Sequence, residues 1–555
     1  MISAIERKWT QTLVVLGTVA IALFLTPSFS SEPVDLPKLF LLVPFSAVLY
    51  GLIASYSRVL VEKRYRTVLV ISIALLIQFT LVLLLSSSPF NEQFFGTSGR
   101  NTGYLAYLGL IGFMLASVYS ADESLLKKLT QWLFISGALS SGYGFLQLIK
   151  HDPIKWNNPY NPIIAFLGNP DFASAFLGLS AAAGIALIFT KSIKLQWKAL
   201  IAIYEIFSLF LIVKSHAQQG VLVFGISAAL VTIIFLYKTP GIKNLWASSV
   251  AGLSVIAGIL VTLGIFKVGP LADKLYKFSV RQRGFYWHAG LEMMKSNPIF
   301  GIGLDSYGDN YFKYRSANAA FFSRPTQSNA AHNVYLDIAS NGGIILFALY
   351  ILLTIYVLIC AVRVFRASTA FNPYFTTVFV AWVGYQAQSI VSINQLGLAI
   401  WGWVLGGAVI GYAKLAQNEK SETSKPAPRR ASKSKKIDLI FPLIGLAIGL
   451  ALAVPPFMAD HNYRIAASTR DANKVIAAAA AYPEDLGRSL SIAQNLANAK
   501  LFPQALTLAK HVAEVSPKNY NAWVMISQLT QPGTPDHANA IKKMQELNPH
   551  DKTIN

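Results

Sequence analysis

The stretch SNAAHNVYLDIASNGGIILFALYILLTIYVLICAV, residues 328–362, starts with polar side chains and ends in a long apolar run. No charged residue follows Asp337 within it. The run is long enough to cross a hydrocarbon core of about 30 Å as a helix. A histidine, His332, and two asparagines, Asn329 and Asn333, therefore stand at the mouth of a predicted membrane helix.

Apolar runs of this kind recur along the 555-residue chain, which is 54% hydrophobic and 13% charged with a mean hydropathy of +0.47. We predict about 12–13 spans between residues 10 and 457, all helical because the runs are continuous rather than alternating. Residues 10–27 are interpreted as a retained span rather than a signal peptide, since the apolar part is long and Pro27 follows it. The predicted fold class is all-α, a polytopic membrane helix bundle.

The predicted domain organisation has a soluble helical-repeat domain after the bundle. Pro483, Pro517 and Pro549 recur there at spacings of 34 and 32 residues, a period typical of tetratricopeptide repeats. A helical hairpin without specific function is the alternative. The predicted parts are a membrane-embedded domain, 1–415, with a large outer loop, 268–332; a basic cytoplasmic linker, 416–437; a last transmembrane helix, 438–457; and a tetratricopeptide-like domain, 458–555.

The net charge of +21 is distributed in a way that indicates membrane topology rather than nucleic-acid binding. Lys and Arg cluster in alternate connectors, which the positive-inside rule assigns to the cytoplasmic side of the plasma (inner) membrane. The single cysteine, Cys360, excludes an intrachain disulfide and a cysteine cluster for zinc. The connectors predicted to face outward are 28–37, 88–102, 150–167, 215–219, the large loop 268–332, and 394–395. The C-terminal domain is predicted to lie on the same side.

His332 is the first candidate for chemistry. We expect Ser328 or Asn329 to cap the helix, which would place His332 in its first turn. There the positive end of the helix dipole favours a neutral imidazole, which can accept a proton. A histidine that merely lies at the membrane interface is the alternative.

Outer-side polar groups are the next candidates. Arg100, Arg283 and Arg324 could each bind a phosphate through two parallel hydrogen bonds, and the turn SHAQQG, 215–220, presents His216 and Gln219. The alternatives are solvated or headgroup contacts and a simple tight turn.

Motifs for other chemistries are missing from the sequence. It contains no phosphate-binding Gly-x-x-x-x-Gly-Lys loop, no His-Glu-x-x-His zinc motif and no carboxylate pair suited to glycoside hydrolysis. Glu205 is the clear intramembrane carboxylate, and this scarcity argues against an ion-coupled transporter.

Two segments, RQRGFYWHAGLEMMKSNPIFGIGLDSY at 281–307 and AHNVYLDIASNGG at 331–343, together resemble the O-antigen ligase and O-antigen polymerase superfamily. GNPDFASAFL, 168–177, and GRNTGYLAYL, 99–108, also resemble family segments, so the resemblance covers about residues 10–415. The residues that match the family pattern are Arg283, Trp287, Asn297, Pro298, Gly301, Gly303, His332, Asn333, Leu336 and Gly343.

The resemblance implies a membrane glycosyltransferase that needs no metal and no other cofactor. Such proteins move a glycan from an undecaprenyl-linked donor to a glycan, lipid or protein acceptor on the outer face of the plasma membrane. The resemblance implies catalytic roles for His332 and Arg283. The predicted substrate-binding residues are Arg100, Arg281, Gln219, His216, Trp287, Arg324 and Asn333.

One position departs from the family pattern. A second family arginine usually occurs as Ser-Arg-Gly in a turn between spans, and the corresponding stretch here carries Gln219 before Gly220. Glutamine cannot supply a positive charge to a diphosphate. Either Arg100 or Arg281 compensates, or the donor differs, for example a monophosphate-linked one.

Three functions are compatible with the sequence. The first is glycan transfer, as ligase, polymerase or protein O-oligosaccharyltransferase, with the C-terminal repeats docking a protein partner. The second is a transporter or flippase of lipid-linked glycan, which would predict inverted halves and broken helices. The third is a non-catalytic membrane anchor for the helical tail, which leaves the Arg283 and His332 pattern unexplained.

Overall fold

The computed structural model describes residues 4–55, 62–156, 161–422, 439–469 and 471–554, and this part of the chain contains helices and no strands. Residues 423–437 of the predicted basic linker, 416–437, lie outside it. The first eleven helices are α1 Ala4–Leu23, α2 Asp35–Ser55, α3 Arg66–Leu85, α4 Phe90–Phe95, α5 Tyr104–Ser120, α6 Glu123–Leu148, α7 Pro170–Ile188, α8 Leu195–Lys214, α9 Gln218–Lys238, α10 Asn244–Ile265 and α11 Ala272–Leu275.

The remaining helices begin in the long connector and continue to the C-terminal tail. They are α12 Phe278–Ser296, α13 Tyr307–Tyr314, α14 Ala317–Phe322, α15 Val334–Ala367, α16 Pro373–Ser389, α17 Leu396–Glu422, α18 Ile440–Thr469, α19 Ala472–Ala479, α20 Leu486–Asn498, α21 Phe502–Val515, α22 Tyr520–Leu529 and α23 Pro535–Leu547.

The chain is a polytopic membrane helix bundle. Among the described residues, nine helices are long and apolar enough to cross a membrane, fewer than the 12–13 spans predicted. Helices lie at the other predicted positions too, but α5 and α16 have only 17 residues each. Residues 440–457 of the predicted last span, 438–457, belong to a helix that continues to Thr469, so the predicted boundary at 457 falls inside α18.

The bundle is built around α5 and α17. The apolar part of α17 is 94% buried, and it packs on α5 through glycines. A Cβ added at Gly407 would overlap the carbonyl of Met114, so the two backbones can approach this closely only with glycine there. At the opposite extreme, α10 is 6% buried and packs against α9 and α11. Apolar helices that are exposed on most of their surface are expected to face lipid.

The C-terminal helices α19 to α23 each pack against the next, and the tail is joined to the outer loop. The guanidinium of Arg315, whose side chain is fully buried, donates from Nε and Nη2 to Asn548 Oδ1 at 3.2 and 3.0 Å. Asp309 accepts hydrogen bonds from Ser516 Oγ at 2.8 Å and Asn519 Nδ2 at 3.1 Å. The tail is therefore attached to α13 and the residue after it by buried polar contacts.

Arg315→Ala is expected to lower the free energy of tail docking by about 2–5 kcal/mol, because truncation leaves buried polar partners unpaired. Thermal unfolding of the detergent-solubilised protein measures this. Arg324→Ala is the matched control, since Arg324 pairs with Asp551 at 3.2 Å but is 53% exposed. The control should cost less than about 1 kcal/mol, and equal losses in both variants would contradict the expectation.

Candidate functional site

The predicted outward connectors meet at one cleft with an empty volume of about 820 Å³. Each of the six connectors contributes at least one lining residue, so all six lie on the same side of the bundle. The polar residues that line the cleft are Glu32, Asp35, Arg100, Asn169, Asp171, Gln219, Asn329, His332, Ser392, Asn394 and Gln395.

His332 precedes helix α15 rather than lying in its first turn. The cap is Asn333, whose Oδ1 accepts from the amide of Leu336 at 3.1 Å, so the predicted cap at Ser328 or Asn329 was wrong. His332 itself has a φ of 52°, a left-handed conformation that is uncommon for residues other than glycine. Such backbone strain persists where the surroundings enforce it, often at functional sites.

The motif glycines fix the outer loop to α15. Helix α15 is interrupted at Gly343, where φ is 78°, and a Cβ there would overlap the carbonyl of Ile299. The amide of Ile344 donates to the carbonyl of Pro298 at 2.8 Å, and the amide of Gly303 donates to the carbonyl of Asn341 at 3.1 Å. Pro298, Gly303 and Gly343 therefore fix the outer loop to α15 at the point where that helix is interrupted.

The imidazole of His332 lies between an aromatic ring and the cleft. It stacks on Tyr286 with ring centroids 5.1 Å apart and an interplanar angle of 28°. In the described part of the chain its ring nitrogens have no hydrogen-bond partner. Burial, followed by the positive charges of Arg283 and Arg100, lowers the pKa of His332 to about 3. The ring is therefore neutral near pH 7 and has an unprotonated nitrogen, although in the free protein it is a weaker base than an ordinary histidine.

Arg100 lines the cleft but is already bonded. Its Nε lies 3.3 Å from Asp305 Oδ1, its Nη1 donates to the carbonyl of Asn329 at 2.5 Å, and its side chain is 5% exposed. Asp305 is itself held by the amides of Thr97 and Thr102. Arg100 thus ties the 99–102 segment to the segment that leads into His332.

Arg283, on α12, does not itself line the cleft but contacts Asp171, a carboxylate that does. Its Nη2 lies 3.5 Å from Asp171 Oδ2, and Gln219 Nε2 donates to the same oxygen at 3.1 Å. The other amide atom of Gln219, Oε1, is buried and has no partner among the described residues. Arg283, Asp171 and Gln219 therefore form one polar group beside His332, drawn from three helices.

The other predicted substrate-binding residues do not line the cleft. Arg281 lies between the rings of Phe278 and Phe322, at 5.4 and 5.0 Å from their centroids. His216 is exposed, and Trp287 Nε1 is buried and unpaired in the described residues. The remaining two residues have structural contacts: Asn333 caps α15, and Arg324 pairs with Asp551.

Asp171 is the residue that sequence reasoning missed. The stretch GNPDF, 168–172, contains a visible helix start, because Asn169 Oδ1 accepts from the amide of Asp171 and Pro170 occupies the first turn. That signal places Asp171 at a helix mouth, like His332. Its contact with Arg283 could not be read from the sequence, because the two residues lie 112 positions apart.

Comparison with known proteins finds a similarity in the middle of the chain. Residues 203–351 match a family model described as O-antigen ligase (Wzy_C). The match contains Gln219, Arg283 and His332, whereas Arg100 and Asp171 lie before it. No curated protein matches the chain in sequence.

Proposed function

We propose that this chain, whose residues 203–351 match a family model described as O-antigen ligase, moves a glycan from an undecaprenyl-linked donor to an acceptor on the outer face of the plasma membrane. The cleft supports this proposal. It brings a neutral histidine close to two arginines and is large enough to hold part of a glycan.

The proposed reaction is displacement at the anomeric carbon of the donor. His332 orients the acceptor hydroxyl and takes its proton, a role typically worth about 10²–10⁴-fold in rate. Arg283 stabilises the negative charge that develops on the departing lipid phosphate. A phosphate leaving group needs no proton, so a second acid is unnecessary, unlike in glycoside hydrolysis.

The start of α9 offers a path for the polyprenyl chain. Helices α8 and α9, on either side of the turn 215–217, are each only 22% buried over their apolar parts. Gln219, at the start of α9, lines the cleft. A lipid lying along these helices would therefore place its phosphate near Asp171 and Arg283.

The direct test is transfer of a labelled glycan from an undecaprenyl-linked donor by the purified protein in liposomes. The donor is supplied on the outer leaflet, so that no flipping is needed. Product formation supports a transferase, whereas movement of labelled donor between leaflets without product supports the flippase alternative. In cells, deletion of the gene is expected to cause accumulation of the lipid-linked glycan.

The lowered pKa of His332 predicts an unusual pH profile. A histidine with the ordinary pKa of about 6.5 would lose its basic form as the pH falls below neutrality. Here the imidazole stays neutral down to a pKa of about 3. We therefore expect no histidine inflection in kcat/KM between about pH 5 and 8. An inflection near 6.5 that is absent in His332→Gln would contradict this.

A further inference from the structure

The ionisable side chains that line the cleft are mostly carboxylates. Glu32, Asp35 and Asp171 line it, and Arg100 is the one permanently charged cation in the lining of the described residues. Burial raises the pKa of Glu32, whose carboxylate accepts hydrogen bonds from the amides of Val34 and Leu36. A cleft of this kind has little positive charge to offer a multiply charged anion.

Of the cations near the cleft, Arg100 and Lys38 are already hydrogen-bonded, and Arg281 does not line the cleft. Arg100 is held by Asp305 and by a backbone carbonyl, and Arg281 stacks between two phenyl rings away from the cleft. The ammonium of Lys38, also buried, donates to the carbonyls of Phe24 and Phe166 at 2.8 and 2.9 Å. Arg100 is thus held by other partners and Arg281 lies outside the cleft lining, so neither adds a second charge beside Arg283.

Among the described residues near the cleft, Arg283 is the remaining cation, and its guanidinium is paired with the carboxylate of Asp171. Asp171 Oδ2 lies 3.5 Å from its guanidinium, and the neutral amide of Gln219 donates to that same oxygen. An incoming phosphate oxygen would share the guanidinium with this carboxylate. The Arg283, Asp171 and Gln219 group therefore carries one positive and one negative charge, and a diphosphate would meet little net attraction.

We propose that the donor is linked to its polyprenyl chain by a monophosphate, which carries a single negative charge before transfer, rather than by a diphosphate, which carries a second. This inference rests on the proposed function. The acceptor oxygen bonds to the anomeric carbon while its proton passes to His332. The bond from that carbon to the phosphate oxygen breaks with its electron pair on oxygen, and polyprenyl phosphate leaves.

The test is binding of undecaprenyl phosphate and undecaprenyl diphosphate to the full chain in detergent, because these probes need no knowledge of the sugar. We expect the monophosphate to bind at least as tightly as the diphosphate. Gln219→Arg should raise affinity for the diphosphate relative to the monophosphate by about tenfold or more. Gln218→Arg is the matched control, since it adds the same charge one residue away, outside the cleft lining, and should leave the preference unchanged.

Asp171→Asn is a second test of the charge argument. It is needed because the side chain introduced by Gln219→Arg would also pair with the carboxylate of Asp171. Removing that carboxylate should tighten binding of both probes, and of the diphosphate more. Tighter binding of the diphosphate by the unaltered protein overturns the inference, as does equal transfer from diphosphate-linked and monophosphate-linked donors. If the monophosphate preference holds but neither donor supports transfer, the proposed function fails and the binding inference stands.

Discussion

His332→Ala is expected to lower glycan transfer by about 10²–10⁴-fold at unchanged protein level, because a positioned base contributes about this much to proton transfer. The ring borders the cleft without a hydrogen-bond partner in the described residues, so its removal breaks no such contact there. The measurement is the initial rate of transfer in liposomes, normalised to folded protein by size-exclusion chromatography.

Two further histidine variants sharpen that result. His332→Gln keeps a polar side chain that cannot take a proton, so a loss as large as that of alanine indicates proton transfer rather than orientation of the acceptor. His216→Ala is the control, because His216 is exposed and outside the cleft lining, and its rate should be unchanged. A normal rate in His332→Ala would remove the catalytic assignment.

Arg283→Met is expected to lower kcat/KM by about 10²–10³-fold, the usual cost of removing a donor that stabilises charge in the transition state. Arg283→Lys keeps the charge but loses the planar fork, so a smaller loss of about tenfold or more is expected. Both are measured in the same transfer assay as kcat and KM separately, since loss in kcat indicates stabilisation of the departing phosphate rather than simple binding.

The control for the arginine variants is Arg281→Met, two residues away on the same helix. Arg281 contacts two phenyl rings, whereas Arg283 lies 3.5 Å from Asp171, which lines the cleft, so replacement of Arg281 should change the transfer rate little. Equal losses at 281 and 283 would indicate a general effect of charge on α12. A near-normal rate in Arg283→Met would exclude Arg283 from the reaction.

The proposed chemistry also changes how the pKa of His332 should behave during turnover. Arg283 and Arg100 help to keep the imidazole neutral in the free protein. A lipid phosphate bound near Arg283 would offset that positive charge and make the ring a stronger base once the donor is in place. The acceptor proton would then be taken most readily after the donor has bound.

The sequence by itself determined the helical membrane class, because long uncharged apolar runs can satisfy their backbone in lipid only as helices or closed barrels. It also determined which connectors share a side, since alternation along the chain places every second connector together. Arg283 and His332 could be named because their motifs are local, as in RGFYW and AHN. Gly343 belongs to the same local motif, and its positive φ is a backbone conformation that favours glycine.

Only the tertiary structure decided how those residues are used. Asp171 and Arg283 meet across 112 positions, and Arg100 reaches Asp305 and Asn329 across more than 200, and no local pattern encodes such pairings. The same is true of Arg281 and Arg324, which the sequence could not separate from Arg283. Whether an arginine faces a cleft, a phenyl ring or a carboxylate depends on helix packing, and packing brings together residues that the chain keeps apart.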